Sequence, residues 1–467
     1  MSRKSFHLVS LGCAKNTVDS DSMAQLLLED GYRMVEKPSQ AGVLIVNTCG
    51  FIGPARDESI AVLRELADGK RNDQLLIAAG CLTQRYGADV ARQVPGVDGV
   101  LGTRRWMDIL QVVGDLRSSP HPEPLYHLPD EALTVGADER GALRASIAGA
   151  SAYLKIADGC RRPCAFCAIP LIKGTAVSRP LETILEEAKI LRDDGIRELV
   201  LIAQDTTDYG HDLGMKDGLA QLLERLVDEV CDSPHPNPSP TGRGARGEGG
   251  LDWIRVMYAY PGYVTDRLIE VMATRSQILP YLDMPLQHAH PKTLYRMRRP
   301  SNIEWVHETL AKMRARINNL AIRTTFIVGY PGETDEEFQA LMDFIEEIRF
   351  DRVGAFQFSF EPGTASEPLG DPVPAEVKQE RYQRLMERQQ AISLQINQSY
   401  VGQTLDVLVE GFDNGISIGR SYRDAPEIDG LVLVEGRLEP GQIVPVKITG
   451  AMAYDLTGVP AQRMISL

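Results

Sequence analysis

Short apolar runs alternate with amphipathic helical patterns through residues 5 to about 115, and this alternation restricts the fold. The runs are FHLVSL, GVLIVN, LLIAAG and VDGVLG, and each is followed by a helical pattern. Strands separated by helices pair in parallel, because the helix carries the chain back across the sheet. We therefore predict an α/β fold whose amino-terminal domain, residues 1–120, is a doubly wound parallel sheet with helices on both faces.

Three cysteines follow strands of this predicted sheet. Cys13, Cys49 and Cys81 each come one to three residues after a strand, and they are spaced by about one βα unit. Each cysteine taken alone would be interpreted as a buried thiol. The carboxyl ends of parallel strands, however, meet at one edge of a sheet, where ligands bind. We expect the three thiols to converge on one crevice.

A second set of alternating patterns predicts a partial (β/α)6 barrel over residues 145–375. Six strand-like runs are separated by helical patterns: AYLKIA, ELVLIAQ, IRVMYA, PYLDMPL, RTTFIVG and VGAFQFSF. Functional groups in such barrels collect at the carboxyl ends of the strands. Thr334 and Glu337 form a capping-box pattern that predicts the start of one helix. Residues 232–250 are rich in Pro, Gly and Ser, which predicts a disordered insertion.

The last part of the chain changes character. Residues 376–399 predict a connecting helix, and residues 400–467 contain short alternating runs typical of a small antiparallel β-barrel. Barrels of this size often bind nucleic acid. The basic residues that would serve this role are Arg420, Arg423, Arg437 and Lys447. Acidic residues in the same segment dilute their charge.

A tighter cysteine group follows the first barrel strand by a few residues. Cys160, Cys164 and Cys167 lie in the run GCRRPCAFC, and three thiolates at this spacing suit an iron–sulfur cluster that keeps one iron open. Groups of three in a chain without a secretion pattern favour metal binding over disulfides. The alternative is a zinc ion completed by a fourth residue such as His211 or His288. Cys231, the seventh cysteine, ends an amphipathic stretch, and we predict that it is a small buried apolar residue.

The composition restricts the partners of the chain. Its net charge is -14, which argues against a general electrostatic attraction to nucleic-acid phosphates and suits a basic protein partner. No apolar run approaches the roughly 20 residues of a membrane helix. We predict a chain that neither spans nor anchors to a membrane and that is located in the cytoplasm.

The central cysteine motif resembles the radical S-adenosylmethionine superfamily. The spacing Cys160-x3-Cys164-x2-Cys167 after the first strand of a six-unit barrel is its signature, and Phe166 matches the aromatic residue that usually precedes the third cysteine. The resemblance implies a 4Fe-4S cluster whose free iron chelates S-adenosylmethionine and reduces it to a 5′-deoxyadenosyl radical. It also implies cofactor contacts from residues after the barrel strands, namely Gln204, Asp205, Gln287, Val328 and Gly329.

The amino-terminal cysteine motifs resemble those of the methylthiotransferases. These motifs are SLGCAKNTVDSD, VNTCGFI and AAGCLTQRY, followed by KIADGCRRPCAFCAIPLIKG in the barrel. The resemblance covers nearly the whole chain outside residues 232–250. It implies a second 4Fe-4S cluster on Cys13, Cys49 and Cys81, and it implies that the carboxyl-terminal barrel is a TRAM domain. The chain departs from the pattern in having Asp158 where glutamate is usual and charged Arg161 and Arg162 between the ligands.

Local sequences narrow the resemblance to one branch of this family. GCAKN, NTCGFI, YLDMPLQH and TTFIVGYPGET are similar to the branch that methylthiolates the β-carbon of an aspartate in ribosomal protein S-twelve. The resemblance implies a basic protein substrate, either free or within the assembled small subunit, and an electron donor such as flavodoxin or ferredoxin. Two alternatives stay open at this point: methylthiolation of tRNA adenosine next to the anticodon, and a non-enzymatic metal-bound adaptor that holds RNA or ribosomes.

Overall fold

The computed structural model describes residues 4–118, 122–129, 139–231 and 250–461. The predicted insertion at 232–250 therefore lies outside the described residues, apart from Gly250. No helix in these ranges is both long enough and apolar enough to cross a membrane.

The amino-terminal domain is a six-stranded parallel sheet covered by helices on both faces. The strands are β1 Ser5–Ser10, β2 Arg33–Met34, β3 Val43–Thr48, β4 Leu75–Gly80, β5 Gly99–Gly102 and β6 Leu125–His127; the helices are α1 Ala14–Glu29, α2 Gly53–Gly69, α3 Cys81–Gln93 and α4 Ile109–Ser118. The strand order is β2-β1-β3-β4-β5-β6. Helices α1 and α4 share one core with the sheet, and α2 and α3 share another, so the predicted doubly wound arrangement is confirmed.

The four predicted strand runs correspond to β1, β3, β4 and β5, whereas β2 and β6 were not predicted. All six residues of β3 are buried because helices cover both sides of the sheet, which explains its nearly continuous apolar run. Strand β2 has only two residues, and both are exposed. An edge strand of this kind has too short an apolar pattern to be detected in the sequence.

The central domain contains an open sheet in which six parallel strands alternate with helices. Its strands are β7 Ala145–Ala148, β8 Ser151–Lys155, β9 Ala157–Asp158, β10 Val177–Ser178, β11 Glu198–Ile202, β12 Trp253–Val256, β13 Ile278–Asp283, β14 Ala321–Val328 and β15 Arg352–Gln357; its helices are α5 Ile169–Lys173, α6 Leu181–Asp193, α7 Gly218–Leu226, α8 Asp266–Thr274, α9 Pro291–Arg296, α10 Ile303–Arg316 and α11 Asp335–Ile348. Seven of these strands form the sheet, in the order β15-β14-β13-β12-β11-β8-β7, and within it only β7 runs antiparallel. Strands β9 and β10 form a separate antiparallel pair. This is the predicted partial barrel, and the capping box of Thr334 and Glu337 opens α11 as expected.

The two faces of this central sheet contact different parts of the molecule. Along β11, Leu199 and Leu201 pack in the core that includes the surrounding helices. Val200 alternates with them and packs instead with Val18 of α1 and Leu408 of the carboxyl-terminal domain. The inner face of the partial barrel is therefore covered by both neighbouring domains.

The carboxyl-terminal region consists of one long helix and a closed five-stranded barrel. Its elements are α12 Ala375–Gln398, β16 Thr404–Asp413, β17 Ile416–Ser421, β18 Val432–Glu435, β19 Ile443–Ala451 and β20 Leu456–Pro460. The barrel order is β16-β17-β18-β20-β19. Four of the five strand pairs are antiparallel, as predicted, and the barrel is closed by a parallel pair, β18 with β20.

The structure shows that two of the four basic residues of this barrel are not available to nucleic acid. Arg420 is buried and donates a 2.7 Å hydrogen bond to the Glu198 carboxylate on β11. Arg423 is buried as well and lies 3.2 Å from the Asp351 carboxylate. Both guanidinium groups are needed as partners for carboxylates of the central domain, because an unpaired buried charge is costly. Of the four basic residues, the exposed ones are Arg437 and Lys447.

Candidate active site between the amino-terminal and central domains

All six cysteines of the two groups border a single cavity of about 400 Å³. Cys13, Cys49 and Cys81 reach it from the carboxyl ends of β1, β3 and β4, and the central group reaches it from the loop between β9 and β10. The thiols are free, with no disulfide among them. The fold thus brings together two groups that lie far apart in the sequence.

The first group converges because two glycines allow the strand ends to approach each other. Gly12 has φ +96°, and a Cβ on it would lie 2.9 Å from the Cβ of Cys49. Gly80 has φ +105°, and a Cβ there would lie 2.5 Å from the Thr48 carbonyl oxygen. A larger residue at position 12 or 80 would push the end of β3, with Cys49, away from the chain segments that contain Cys13 and Cys81.

Asn16 connects the loops that carry these three cysteines. Its Nδ2 donates to the carbonyl oxygens of Leu11 at 2.9 Å and Thr48 at 3.0 Å. Its Oδ1 accepts a hydrogen bond from the Cys81 thiol at 3.4 Å. One buried amide therefore fixes the ends of β1, β3 and β4 relative to one another.

The central cysteine loop is held from both sides by backbone hydrogen bonds. The Ala165 N–H donates to the Met297 carbonyl at 2.9 Å, and the Ser366 N–H donates to the Ala165 carbonyl at 2.8 Å. On the cavity side, Nη1 of Arg299 lies 3.6 Å from Sγ of Cys164. A cationic donor at this position stabilises negative charge on the sulfur.

The structure places four of the predicted cofactor residues on the cavity wall: Phe166, Gln204, Asp205 and Gln287. The Oε1 of Gln204 is buried and has no hydrogen-bond partner among the described residues. Asp205 accepts a 2.6 Å hydrogen bond from Arg162, and burial raises the pKa of this carboxyl although the arginine opposes the change. Gln287 has φ +75°, a strained backbone conformation for a residue that is not glycine.

The other two predicted cofactor residues do not border the cavity. Val328 is buried in the apolar core of the central domain. The N–H of Gly329 donates to the Glu333 carboxylate at 2.6 Å, and a Cβ on Gly329 would lie 2.4 Å from the Lys378 side chain. This glycine thus allows the close packing of α12.

The donor set of the cavity fits two iron–sulfur clusters and a polar cofactor. Each group supplies three soft thiol ligands, and the unpartnered Gln204 oxygen provides an acceptor for a bound molecule. The zinc alternative requires a fourth protein ligand beside the central cysteines. Neither of the candidate zinc histidines, His211 and His288, borders this cavity.

Burial keeps most of these thiols protonated when no metal is bound. It raises the pKa of Cys81 and Cys167 to about 12 and that of Cys160 to about 11. Cys13 differs, because the charge of Lys15 and neighbouring backbone N–H groups outweigh the effect of burial and lower its pKa. Because thiolates are the ligand form, metal loading must release protons.

The structure also reveals two lysines at the cavity that the sequence did not single out. The Nζ of Lys15 lies 3.1 Å from the centre of the Tyr258 ring. Lys173 donates to Asp19 at 2.7 Å. Burial alone would lower the pKa of this lysine, but the nearby carboxylates of Asp158 and Asp19 outweigh burial and raise it. The only sequence signal for them is their position within the GCAKN and PLIKG motifs.

Asp19 joins the two domains beneath the cavity. Its carboxylate on α1 accepts hydrogen bonds from Lys155 on β8 and Arg144, both at 2.5 Å, and from Lys173 on α5. Asp158, which stands where glutamate is usual, lies 3.2 Å from Lys155 in the same buried network. Since these side chains are at most 2% exposed, the network requires the domains to be in contact.

A smaller apolar cavity of about 190 Å³ adjoins the first. The two cavities share Phe51, Phe166, Gln287 and Phe356 in their walls. Phe356 is 54% exposed, so this second cavity reaches the protein surface. It provides an apolar approach to the cysteines from outside.

Family models match all three domains in the same order along the chain. Residues 5–102 match the Uncharacterized protein family UPF0004, residues 154–345 match the Radical SAM superfamily, and residues 401–460 match the TRAM domain. A solved structure of the radical S-adenosylmethionine methyltransferase TsrM from Kitasatospora setae has a similar fold, with a TM-score of 0.54, 14% identity, and coverage of 90% of this chain and 81% of that one. The fold and these matches define the chain as a radical SAM protein.

Curated relatives narrow this class. The ribosomal protein uS12 methylthiotransferase RimO of Chloroflexus aurantiacus is 48% identical over 97% of this chain and 99% of its own. The protein of the same name from Roseiflexus sp. is 47% identical over 97% of this chain and 96% of its own. This chain belongs to the RimO family of ribosomal protein uS12 methylthiotransferases.

Proposed function

We propose that this protein is a radical SAM methylthiotransferase that adds a methylthio group to the β-carbon of an aspartate in ribosomal protein uS12. The observation that carries the proposal is the single cavity bordered by all six cysteines. Two reactive centres within one enclosed space suit a reaction that both activates a C–H bond and delivers sulfur to it. The names of the curated relatives support the same substrate.

The cysteines would hold two 4Fe-4S clusters, one on Cys13, Cys49 and Cys81 and one on Cys160, Cys164 and Cys167. When bound, the central cluster would supply the electron for reductive cleavage of S-adenosylmethionine, and the amino-terminal cluster would supply the sulfur. The central group forms one wall of the cavity, and the amino-terminal group forms the other.

The polar residues of the wall would bind and orient S-adenosylmethionine. Gln204 has an unused buried acceptor for the cofactor's amino group, and the Arg162–Asp205 pair places further donors and acceptors beside Cys160. Arg299 and Lys173 keep positive charge next to the thiolate groups, which lowers the free energy of the charged ligands. Phe166 and Gln287 would contact the cofactor. Val328 and Gly329 do not border the cavity, and they would support the cofactor site only by packing behind its wall.

The substrate would enter through the smaller apolar cavity. Its exposed aromatic wall leads directly to the cysteines, and the net charge of -14 suits a basic ribosomal protein in the cytoplasm, whether free or in the assembled small subunit. We assign residues 1–120 to sulfur delivery, 145–375 to radical formation, 376–399 to a connection and 400–467 to the TRAM domain. Because Arg420 and Arg423 are buried, these two residues of the carboxyl-terminal barrel are not available to bind tRNA.

Mass spectrometry of uS12 tests this proposal. Anaerobically reconstituted enzyme with dithionite, sulfide and S-adenosylmethionine should add one methylthio group to an aspartate. The Cys49→Ala variant should lose this product and still release 5′-deoxyadenosine. Cys231→Ala is the matched control, because Cys231 packs beside the central core and does not border the cavity. Unmodified uS12 together with accumulating 5′-deoxyadenosine in the unaltered enzyme would show that the substrate assignment is wrong.

A further inference from the structure

The central cysteine loop has a second accessible side, which the proposed chemistry does not use. A surface groove of about 440 Å³ is bordered by Cys160, Cys164 and Cys167, the same residues that border the inner cavity. The loop is therefore a thin partition, with the cofactor cavity on one side and the groove on the other. A cluster held by these thiols would be reachable from outside without passing through the cofactor site.

The groove is a fixed feature of the fold. One wall includes Arg298, in the turn that follows α9, and another is the segment 363–365. The backbone of Ala165, in the middle of the cysteine loop, is hydrogen-bonded to Met297 beside the first wall and to Ser366 beside the second. The two walls and the loop thus form one hydrogen-bonded unit.

The charge of the groove is opposite to that of the whole chain. Three arginines line it, Arg161, Arg162 and Arg298, and no Asp or Glu belongs to its lining within the described residues. Arg298 is exposed. Asp208 pairs with Arg161 and Arg162, and Glu367 accepts the Gly363 N–H at the edge, so Arg298 contributes most of the remaining positive charge.

An apolar side chain accompanies this charge. Leu171 lines the groove and is 46% exposed, and Pro163 and Pro170 are exposed beside it. The Arg104 guanidinium, which donates to the carbonyl oxygen of Leu171 at 3.1 Å, adds positive charge on this side. A small apolar centre with a basic rim is typical of a transient protein–protein interface.

We propose that this groove docks an acidic one-electron carrier protein that reduces the cluster on Cys160, Cys164 and Cys167. In this step the carrier is oxidised by one electron and the cluster is reduced by one electron, and no bond or proton is transferred. The inference rests on the proposed function, since that function requires an external electron. Basic uS12 does not suit this groove, and it has a separate approach through the apolar cavity.

Charge reversal at the groove tests the proposal. The variants are Arg298→Glu and Leu171→Glu, and the matched control is Arg33→Glu, an exposed arginine paired with Ser5 at the end of β1 opposite Cys13. The probe is a reduced acidic flavodoxin, and both its dissociation constant and the rate of 5′-deoxyadenosine release are measured. We expect Arg298→Glu to weaken binding and slow the flavodoxin-driven rate about tenfold at low salt. Added salt should weaken binding to the unaltered protein and have a smaller effect on the variant.

Dithionite separates this proposal from the proposed function, because it is a small reductant that needs no docking surface. We expect both groove variants to release 5′-deoxyadenosine at the normal rate with dithionite. Equal flavodoxin binding and rates in Arg298→Glu and Arg33→Glu would overturn the docking proposal. A loss with dithionite as well would overturn it too, since the residue would then act on the cofactor cavity. If the unaltered enzyme releases no 5′-deoxyadenosine with dithionite, the proposed function fails, and the dissociation constants alone decide the docking question.

Discussion

At the scale of single residues, the amino-terminal cysteine group depends on a neighbour that is not itself a ligand. Asn16 makes three hydrogen bonds that hold the carboxyl ends of β1, β3 and β4 together, and one of them is to the Cys81 thiol. Residues that orient metal ligands in this way affect metal affinity even though they do not touch the metal. The geometry of this group therefore depends on one buried amide as well as on three sulfurs.

We predict that Asn16→Ala lowers the occupancy of the amino-terminal cluster and leaves the central cluster in place. The lost hydrogen bonds would let the three strand ends separate, and affinity should fall about 10- to 100-fold. Iron and acid-labile sulfide should decrease from two clusters per chain towards one under limiting iron. Asn72→Ala, at an exposed position before β4, is the control. Unchanged iron in Asn16→Ala would contradict the prediction.

At the scale of elements, strand β11 attaches the carboxyl-terminal barrel to the central sheet. Glu198, its first residue, accepts 2.7 Å hydrogen bonds from Arg255 on β12 and Arg420 on β17. Burial alone would raise the pKa of this carboxyl, but the two arginines outweigh it and lower the pKa to about 2. The charged form of Glu198 is therefore the form that stabilises this contact.

We predict that the contribution of Glu198 to stability depends on pH. Because its pKa is lower in the folded state than the ordinary value of 4.5, the stabilisation is present above pH 4.5 and is lost as the pH falls towards 2. Its size is about 3 kcal/mol at neutral pH. Denaturant unfolding at several pH values should show that Glu198→Gln is less stable than the unaltered protein at pH 7, and that the difference shrinks in acid. The exposed control, Glu308→Gln, should show no such difference; a constant difference in Glu198→Gln would be inconsistent with this account.

At the scale of the whole molecule, the reaction space exists only where domains meet. One side of the cavity comes from the amino-terminal sheet and the other from the partial barrel, and the buried network around Asp19 joins the two. A second contact, between Arg85 of α3 and Glu361 after β15, lies at 2.7 Å beside the apolar cavity. The relative position of the two cysteine groups is thus set by ion pairs beneath the main cavity and beside the apolar cavity.

We predict that Phe356→Ala weakens the use of uS12 without impairing radical formation. This ring is 54% exposed at the opening of the apolar cavity, where a large aromatic side chain would contact an entering protein segment. The KM for uS12 should rise about tenfold, and 5′-deoxyadenosine release in the absence of uS12 should stay normal. Phe412→Ala, a comparably exposed ring on β16, is the control. An unchanged KM in Phe356→Ala would exclude this route of entry.

Features that depend on neighbouring residues in the chain were predictable. The period of apolar residues indicated four strands of the first sheet and all six parallel strands of the second, and the capping box marked the start of α11. The convergence of Cys13, Cys49 and Cys81 followed from their common position after parallel strands. Gln204, Asp205 and Gln287, which the family resemblance implied as cofactor contacts, follow barrel strands and border the cavity.

Features that depend on contacts between distant residues were not predictable from these patterns. Arg420 and Arg423 are basic residues of the type that binds nucleic acid. Packing against the central domain nevertheless buries them beside carboxylates more than 70 residues away in sequence. Val328 ends a strand but faces the core. Lys173 lies at the cavity, where it is paired with Asp19 of another domain as well as with Asp158 of its own. The period of apolar residues in the sequence indicates which face of a helix or strand is apolar. The pairing of buried charges depends instead on which helices and strands meet in three dimensions.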